Sequence, residues 1–411
     1  MEFGLVEFGM VGLGIVGLAL GLYGFVVILA IVWTRRGMAR ERARYEADPF
    51  RPPLTILKPL KGVDEDLEAN LDSFASLQWP ELQILFGIAD EDDPAVAVAR
   101  RIQERYPEKD IEVIVDGSTI GRNPKVNQLH NLLPHAKHEL VLISDSNVRA
   151  YPGYLEATVL PMRDPAVGLV SNPVIGDGEE TVAAAMENLH LVTFAACIAI
   201  AGKVVTGIDA VVGKSMLMRK AAIEAVGGFV AFRNILAEDQ LIAKRLPDTG
   251  WKVVMVAHPV RNINRHWSLR RLIQRHTRWA KIRTRMVLWS YPLELFANPI
   301  ALALLAAVFG ATGGAALVLG TVAAKIALDA MAAWGLRGRL PRLHYLLAIP
   351  VKDLIIFGIW FVPAFSSEVE WRGHRLRITA GTRLVSADAL SRAQSIARLS
   401  RRSRRDAGDA I

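Results

Sequence analysis

Cysteine is almost absent: the 411 residues contain one, Cys197, so neither an intrachain disulfide nor a cysteine-based zinc site can form. Nothing therefore points to an oxidising compartment for the catalytic part. Charge is also scarce, with 22% charged residues against 52% hydrophobic ones. That balance excludes a disordered chain and suggests a soluble part joined to membrane segments. Between residues 53 and 255 there is no G-x-G-x-x-G string and no Walker loop, which leaves dinucleotide redox chemistry and P-loop phosphoryl transfer without support.

What charge there is lies in islands. The formal total is +8, but residues 261–285 carry eight Arg, one Lys and no acid, and residues 371–411 carry ten Arg and three Asp. Those two stretches sum to +16, so the rest of the chain is at −8. A pI of about 9.6 usually raises nucleic acid as a partner. Concentrated basic islands beside apolar runs fit a membrane surface or a phosphate better, and no nucleic-acid partner is expected.

Residues 8–34 contain no Asp, Glu, Lys or Arg. As a helix this run reaches roughly 40 Å, enough to span a bilayer with tilt. It is too long, and its start too acidic (Glu2, Glu7), for a cleaved signal peptide. Arg35, Arg36, Arg40, Arg42 and Arg44 follow, so the positive-inside rule places the N-terminus outside and the catalytic part in the cytoplasm. A bacterial inner membrane is the expected location. A second apolar zone runs from Ala297 to Leu336, interrupted by Lys325 and Asp329, with a break at Gly310-Ala-Thr-Gly-Gly314 that suits two short helices. A third, His344 to Phe365, contains Lys352 and Asp353 between Pro350 and Pro363. Those charges require protein or water around them, so a re-entrant piece and a true span are both open. The expected order is an anchor at 1–36, a cytoplasmic catalytic domain at 50–260, an amphipathic interfacial region at 261–292, membrane segments at 296–366 and a basic tail at 367–411.

Between the membrane zones, short apolar runs alternate with amphipathic stretches. Strands are predicted at Leu54–Leu57, Leu82–Ala89, Ile111–Val115, Leu140–Ser144, Val167–Ser171, Val211–Met218 and Val253–Val256, with helices such as Ala95–Arg105 and Lys125–Leu133 between them. That alternation implies an α/β fold with a largely parallel sheet, which binds ligands beyond the carboxyl ends of its strands. Two strands end in acids there: Ile84-Leu-Phe-Gly-Ile-Ala-Asp90 and Leu140-Val-Leu-Ile-Ser-Asp145, the latter continuing Ser146-Asn147. A solvated turn or a helix cap would use the same residue type, so each Asp alone decides nothing. Glu238-Asp239 opens a helical pattern, where an acid is also an ordinary dipole partner. Arg275-His-Thr-Arg278-Trp279 sits in the first basic island, and a basic interfacial helix would look the same.

Taken together, Asp90, Asp145 in Asp-Ser-Asn, Asp239 in Ala-Glu-Asp and Arg275-x-x-Arg278-Trp279 resemble the membrane-bound inverting glycosyltransferases of the A-type fold, and more narrowly the ceramide glucosyltransferase family. Further strings in the same order are Lys58-Pro-Leu-Lys-Gly62-Val-Asp64, Asp90-Glu-Asp-Asp-Pro94, Gly121-Arg-Asn-Pro-Lys125-Val-Asn127, Gly213-Lys-Ser-Met-Leu-Met-Arg219, Gly227-Gly-Phe and Trp371-Arg-Gly-His-Arg375. They cover roughly residues 53–377. Two departures concern the acceptor. The stretch Thr181–Lys203 lacks the His-Pro string of animal members, and the Arg-rich tail Ser391–Asp409 has no recognised counterpart. Bacterial relatives acting on hopanoids share the framework, so lipid glycosylation is implied more firmly than ceramide glucosylation.

The resemblance implies transfer of a hexose, glucose from UDP-glucose first, to the hydroxyl of a membrane lipid, ceramide first. A hopanoid or diacylglycerol acceptor with UDP-N-acetylglucosamine, UDP-glucose or UDP-galactose is the alternative. It further implies Asp145 as ligand to Mg²⁺ or Mn²⁺, with one carboxylate fewer than the family's Asp-x-Asp. Asp90 would bind uracil or ribose, and Lys58, Lys125 and Arg275 would contact the substrate. Asp239 would take the acceptor proton with Glu238 beside it, Arg278 would stabilise the leaving diphosphate, and Trp279 would wall the sugar or acceptor. A processive polysaccharide synthase shares several of these strings, but so few apolar zones leave little for a polymer channel. A non-catalytic membrane scaffold would have little reason to carry all the acids with Arg278 and Trp279.

Overall fold

Apolar runs bounded by Gly, Pro and Asp give strands whose two faces are both buried, and these form the centre of the molecule. The computed structural model describes residues 2–63, 65–311, 313–371 and 374–386. The chain-ordered strands of the domain are β1 (Leu54–Pro59), β2 (Leu82–Ile88), β3 (Asp110–Val115), β4 (Leu140–Ser144), β5 (Val148–Arg149), β6 (Val167–Ser171), β7 (Val174–Asp177), β8 (Ser215–Arg219), β9 (Lys252–Met255) and β10 (Val260–Ile263). Seven form one sheet in the order β3-β2-β1-β4-β8-β6-β9. Only β8 runs antiparallel to its neighbours. The α/β class with a mostly parallel mixed sheet and apolar helices towards both ends is therefore the one found.

Side chains alternate between two cores, as a period of two requires. Leu54 and Ile56 of β1, Ile84 and Phe86 of β2, and Leu140 and Leu142 of β4 enter one core. Leu57, Leu85, Val141 and Ile143 enter the other. Strand β8 starts four residues later than expected, because Val211–Lys214 form a turn whose Gly213 N–H donates to the Asp239 carboxylate rather than to a ladder. A second sheet, β5-β10-β7, was not anticipated; its strands of two to four residues are too short to show a period.

The N-terminal helix runs from Glu2 to Ala47, well past the end of the apolar run. Residue 36 marks where charge begins rather than where the helix stops. The extension is fixed to the domain: Glu41 accepts from the backbone N–H groups of Ala257 and His258 at 2.6 and 3.2 Å. Gly37 permits that approach, since a Cβ there would lie 2.3 Å from the Ala257 Cβ. The second apolar zone forms two helices, Pro299–Val308 and Gly314–Arg337, with Gly310 and Gly313 at positive φ between them. The third is built mainly of helix Ile349–Trp360.

Its charges face protein. Lys352 reaches Asp329 at 3.1 Å and Asp353 at 3.0 Å, Lys325 reaches Asp329 at 2.6 Å, and the Tyr23 hydroxyl donates to Asp329. Four charges thus cancel in pairs where single ones would be prohibitive. Among the described residues, four helices are long and apolar enough to cross a membrane: Met10–Ala47, Val182–Thr206, Gly314–Arg337 and Leu343–Phe365. The second of these was not read as a membrane segment from sequence; half of its apolar window is buried against the rest of the protein.

The part of the C-terminal region described, residues 368–371 and 374–386, is a three-stranded sheet (Glu368–Trp371, His374–Ile378, Leu384–Ser386) rather than a tail alone. It grips the loop before Glu238: Leu236 N–H donates to the Thr382 carbonyl at 2.9 Å and Leu384 N–H to the Asn234 carbonyl at 2.7 Å. The Arg-rich stretch Ser391–Asp409, Asp64, and Arg372 and Gly373 of the last family string lie outside the described residues.

Candidate active site

Register places the central groups. Ser144 at the end of β4 pairs with Ser215 at the start of β8, so Asp145 and Lys214 emerge side by side at the carboxyl edge of the sheet. The Asp145 carboxylate meets Lys125 Nζ at 2.9 Å and Lys214 Nζ at 2.8 Å. Burial alone would raise its pKa; the two ammonium groups outweigh that and hold it well below the usual carboxylate range. Burial likewise lowers Lys125, but Asp145, Glu238 and Asp239 more than restore it, so Lys125 stays firmly charged. Lys214 is pushed below its ordinary value by burial, and Arg275 adds to that effect. Its ammonium also donates to Asn147 Oδ1 at 2.8 Å.

Lys125 owes its position to the helix Pro124–Leu132, whose Asn123 cap accepts from the Lys125 and Val126 N–H groups, with Pro124 at the first helical position. Asn123 Nδ2 in turn donates to Glu238 Oε2 at 3.1 Å. Glu238 is buried, 3.5 Å from Lys125, and burial pushes its carboxyl up to about 7; Lys125 opposes the rise and Asp239 adds to it. Asp239 is half-buried. Its two carboxylate oxygens accept from Gly213 N–H at 2.6 Å and from Gln240 N–H at 2.8 Å. Gly213 is needed for that closeness, since a Cβ there would lie 2.8 Å from Lys125 Nζ and 3.0 Å from Asp239 Oδ2. Asp145, Lys125, Glu238 and Asp239 are thus one cluster.

The other expected residues are placed differently. Lys58, expected to contact the substrate, has a fully buried side chain. Its Nζ donates to Ser144 Oγ and the Asp145 carbonyl, both at 3.1 Å, and lies 3.7 Å above the Phe74 ring. It supports the Asp145 turn from behind. Asp90 is exposed at the end of β2, two strands from β4, where it accepts from Asp92 N–H. Arg275, Arg278 and Trp279 lie on the helix Leu269–Met286. Arg275 stands 3.1 Å from Glu187 and 4.4 Å above the Trp279 ring; Arg278 is half-buried one turn further on.

Three partners were not singled out from sequence. Lys214 depends on strand register. Glu187 had a signal: it is the only acid between Glu180 and Asp209, in an apolar stretch where a carboxylate must find a partner. His276, inside the Arg275–Trp279 string, holds Glu187 Oε2 at 2.7 Å.

Burial lowers Lys58 to about 7 from an ordinary 10.5. The folded state then binds fewer protons than the unfolded state between those values, so stability rises with pH across that window. Wild-type protein should gain on Lys58→Met from pH 7 to pH 10, by at most about 1.4 kcal/mol per unit. Thermal unfolding followed by tryptophan fluorescence checks this; a constant gap would show that the ammonium is not desolvated.

The donor set around Asp145 fits a hard cation in a limited sense. Asp145 and Asn147 offer oxygen, but among the described residues no group of three or more His, Cys, Asp or Glu could hold a metal by itself. Mg²⁺-type sites of this kind complete their shell with substrate phosphates and water.

Fold and site together define a membrane-helix-bearing α/β protein with a lysine-flanked carboxylate and a second, separately held carboxylate at the sheet edge. The model of "Glycosyl transferase family 21" matches residues 16–384, and the chain belongs to that family. Among curated relatives, ceramide glucosyltransferase 1 of Caenorhabditis elegans is 31% identical over 246 residues, covering 59% of this chain and 52% of that one. Ceramide glucosyltransferase 3 of the same organism is 28% identical over 274 residues, covering 65% and 60%. The match thus spans between half and three fifths of those relatives' length. A solved mannosyltransferase from Pyrobaculum calidifontis, in complex with GDP-Man and Mn2+, is similar over 85% of this chain and 99% of that one at 17% identity and a TM-score of 0.47.

Proposed function

We propose that the chain transfers a hexose, glucose from UDP-glucose first, to the hydroxyl of a membrane lipid, ceramide first, with inversion at C1. The observation that carries this reading is the Asp145 carboxylate held between Lys125 and Lys214 beside Asp239, in a family 21 chain. Residues 50–260 form the catalytic domain on the cytoplasmic face of a bacterial inner membrane.

The donor's diphosphate enters the Lys125–Lys214 pair, with Asp90 on the base or ribose. Asp145 would hold a divalent cation, which when bound would supply charge neutralisation for the leaving group. Arg278 adds fixed positive charge where the diphosphate departs, and Trp279 walls the site. The acceptor oxygen attacks C1 from the face opposite the diphosphate and its proton passes to Asp239. One C–O bond forms, one breaks, and UDP leaves. Gly213 and Gln240 N–H groups keep the Asp239 carboxylate in one orientation for that transfer.

The test is an assay of purified protein in membranes with UDP-glucose, UDP-galactose and UDP-N-acetylglucosamine against ceramide, diacylglycerol and a hopanoid polyol, with products analysed by mass spectrometry and NMR. β-Glucosylceramide is the expected product. A polymer, an α-anomer or preference for another lipid would overturn the corresponding part of the reading.

A further inference from the structure

A narrow crevice lies between the helix Leu269–Met286, the π-helical turn Leu191–Ala196 and the membrane-zone helices. It has about 600 Å³ of empty space including its mouth, of which about 40 Å³ admits the centre of a water molecule. It is too slender for a nucleotide, and suits a small polar group on an extended chain. Its wall includes three polar atoms without a hydrogen-bond partner: His190 Nε2, His276 Nδ1 and Asp353 Oδ2. The three side chains are 4%, 2% and 5% exposed. Asp353 Oδ2 has the Lys325 ammonium 3.3 Å away, but the histidine nitrogens have no such charge. A buried polar group left unpaired is costly, so the two histidine nitrogens beside one void call for a ligand that satisfies them.

The chemistry of that ligand follows from the wall. His276 Nε2 faces Glu187 Oε2 at 2.7 Å, and a carboxylate can only accept, so Nε2 donates there and Nδ1 is the ring nitrogen left for a ligand. Glu187 is itself held by Arg275 at 3.1 Å, and the His190 ring packs edge-on against His276 with centroids 4.4 Å apart. The charges lining the crevice are matched: Arg283 with Glu294 at 2.7 Å, and Lys325 and Lys352 with Asp329 and Asp353. No charge is left over for a phosphate. Glu187 and Arg275 also connect the crevice to the sheet edge, since the Lys214 beside Asp145 feels the charge of Arg275.

We infer that this crevice receives the polar end of the acceptor lipid, a neutral headgroup carrying hydroxyl and amide N–H donors. His276 Nδ1 forms a hydrogen bond with it, and Glu187 positions His276. The inference rests on lipid glycosylation as proposed above and assigns the acceptor a place between the catalytic edge and the membrane helices.

The experiment uses the full chain in phosphatidylcholine nanodiscs, with a short-chain ceramide bearing a diazirine in its acyl chain as probe. Ile356→Trp, which fills the crevice, and His276→Gln should each raise the ceramide KM at least tenfold while the UDP-glucose KM stays within twofold. Glu187→Gln, which keeps an acceptor for Nε2–H, should retain most of the ceramide affinity that Glu187→Ala loses. Photolabel should fall on helices Leu269–Met286 and Ile349–Trp360 and drop at least fivefold in Ile356→Trp. An unchanged ceramide KM in both of the first two variants, photolabel elsewhere, or equal competition by phosphatidic acid overturns the assignment. If wild-type protein transfers sugar to no lipid, the enzymatic reading falls, and the photolabel still decides whether the crevice binds a neutral lipid.

Discussion

Asp239→Asn removes turnover while the donor still binds: transfer to lipid should fall by roughly 10²–10⁴, the usual contribution of a positioned base. The substitution is close to isosteric, and one amide oxygen can still accept from Gly213 or Gln240 N–H, the two donors that hold the native carboxylate. The loss of one hydrogen bond costs about 1 kcal/mol, which leaves the fold and the donor site in place. Lys125, 3.5 Å from Glu238 and 2.9 Å from Asp145, keeps both of its ion pairs. Radiolabelled transfer measures the first effect, and calorimetric titration with UDP-glucose the second. Near-normal turnover in the variant would remove Asp239 as base and direct attention to Glu238, whose carboxyl lies near 7.

Asp145→Ala has two expected effects, and their separation is informative. Two half-buried ammonium groups lose the partner they share, a loss below the roughly 3–5 kcal/mol of breaking a fully buried pair from one side, so the melting temperature should fall in the absence of donor. Donor affinity in wild-type protein should drop at least tenfold when Mg²⁺ or Mn²⁺ is chelated; in the variant, chelator should make no difference. UDP should then restore part of the lost stability, because its diphosphate supplies the negative charge that Lys125 and Lys214 now lack. Identical chelator sensitivity in the two proteins would contradict the metal role of Asp145.

The central strands were legible because each is a short apolar run ending in a polar turn, and the two acids at the ends of β2 and β4 could be placed by the same rule. The pairing partner of β4 was not. Lys214 comes beside Asp145 only because β8 enters antiparallel with Ser215 opposite Ser144, a matter of register that local pattern does not encode. The burial of Lys58 was not legible for a related reason: only the packing of Phe74 beneath its ammonium shows it. Glu187 and His276 are 89 positions apart, and no spacing rule links them. The paired charges of the membrane zones show the opposite case. Lys352 and Asp353 could be recognised as costly from sequence, and their cost called for protein or water around them; that the protein is Lys325 and Asp329 of the neighbouring helix is a matter of packing.

The loop that delivers Glu238 and Asp239 is held from behind by Thr382 and Leu384, which arrive only after every membrane helix has been made. During synthesis the sheet edge with Asp145 and Lys125 is complete some 140 residues before that support exists. The nascent chain can therefore hold Lys125 and Lys214 against Asp145 while the loop that carries Asp239 is still unbraced. Until the last strands are made, the loop therefore lacks the two backbone hydrogen bonds that fix it from behind.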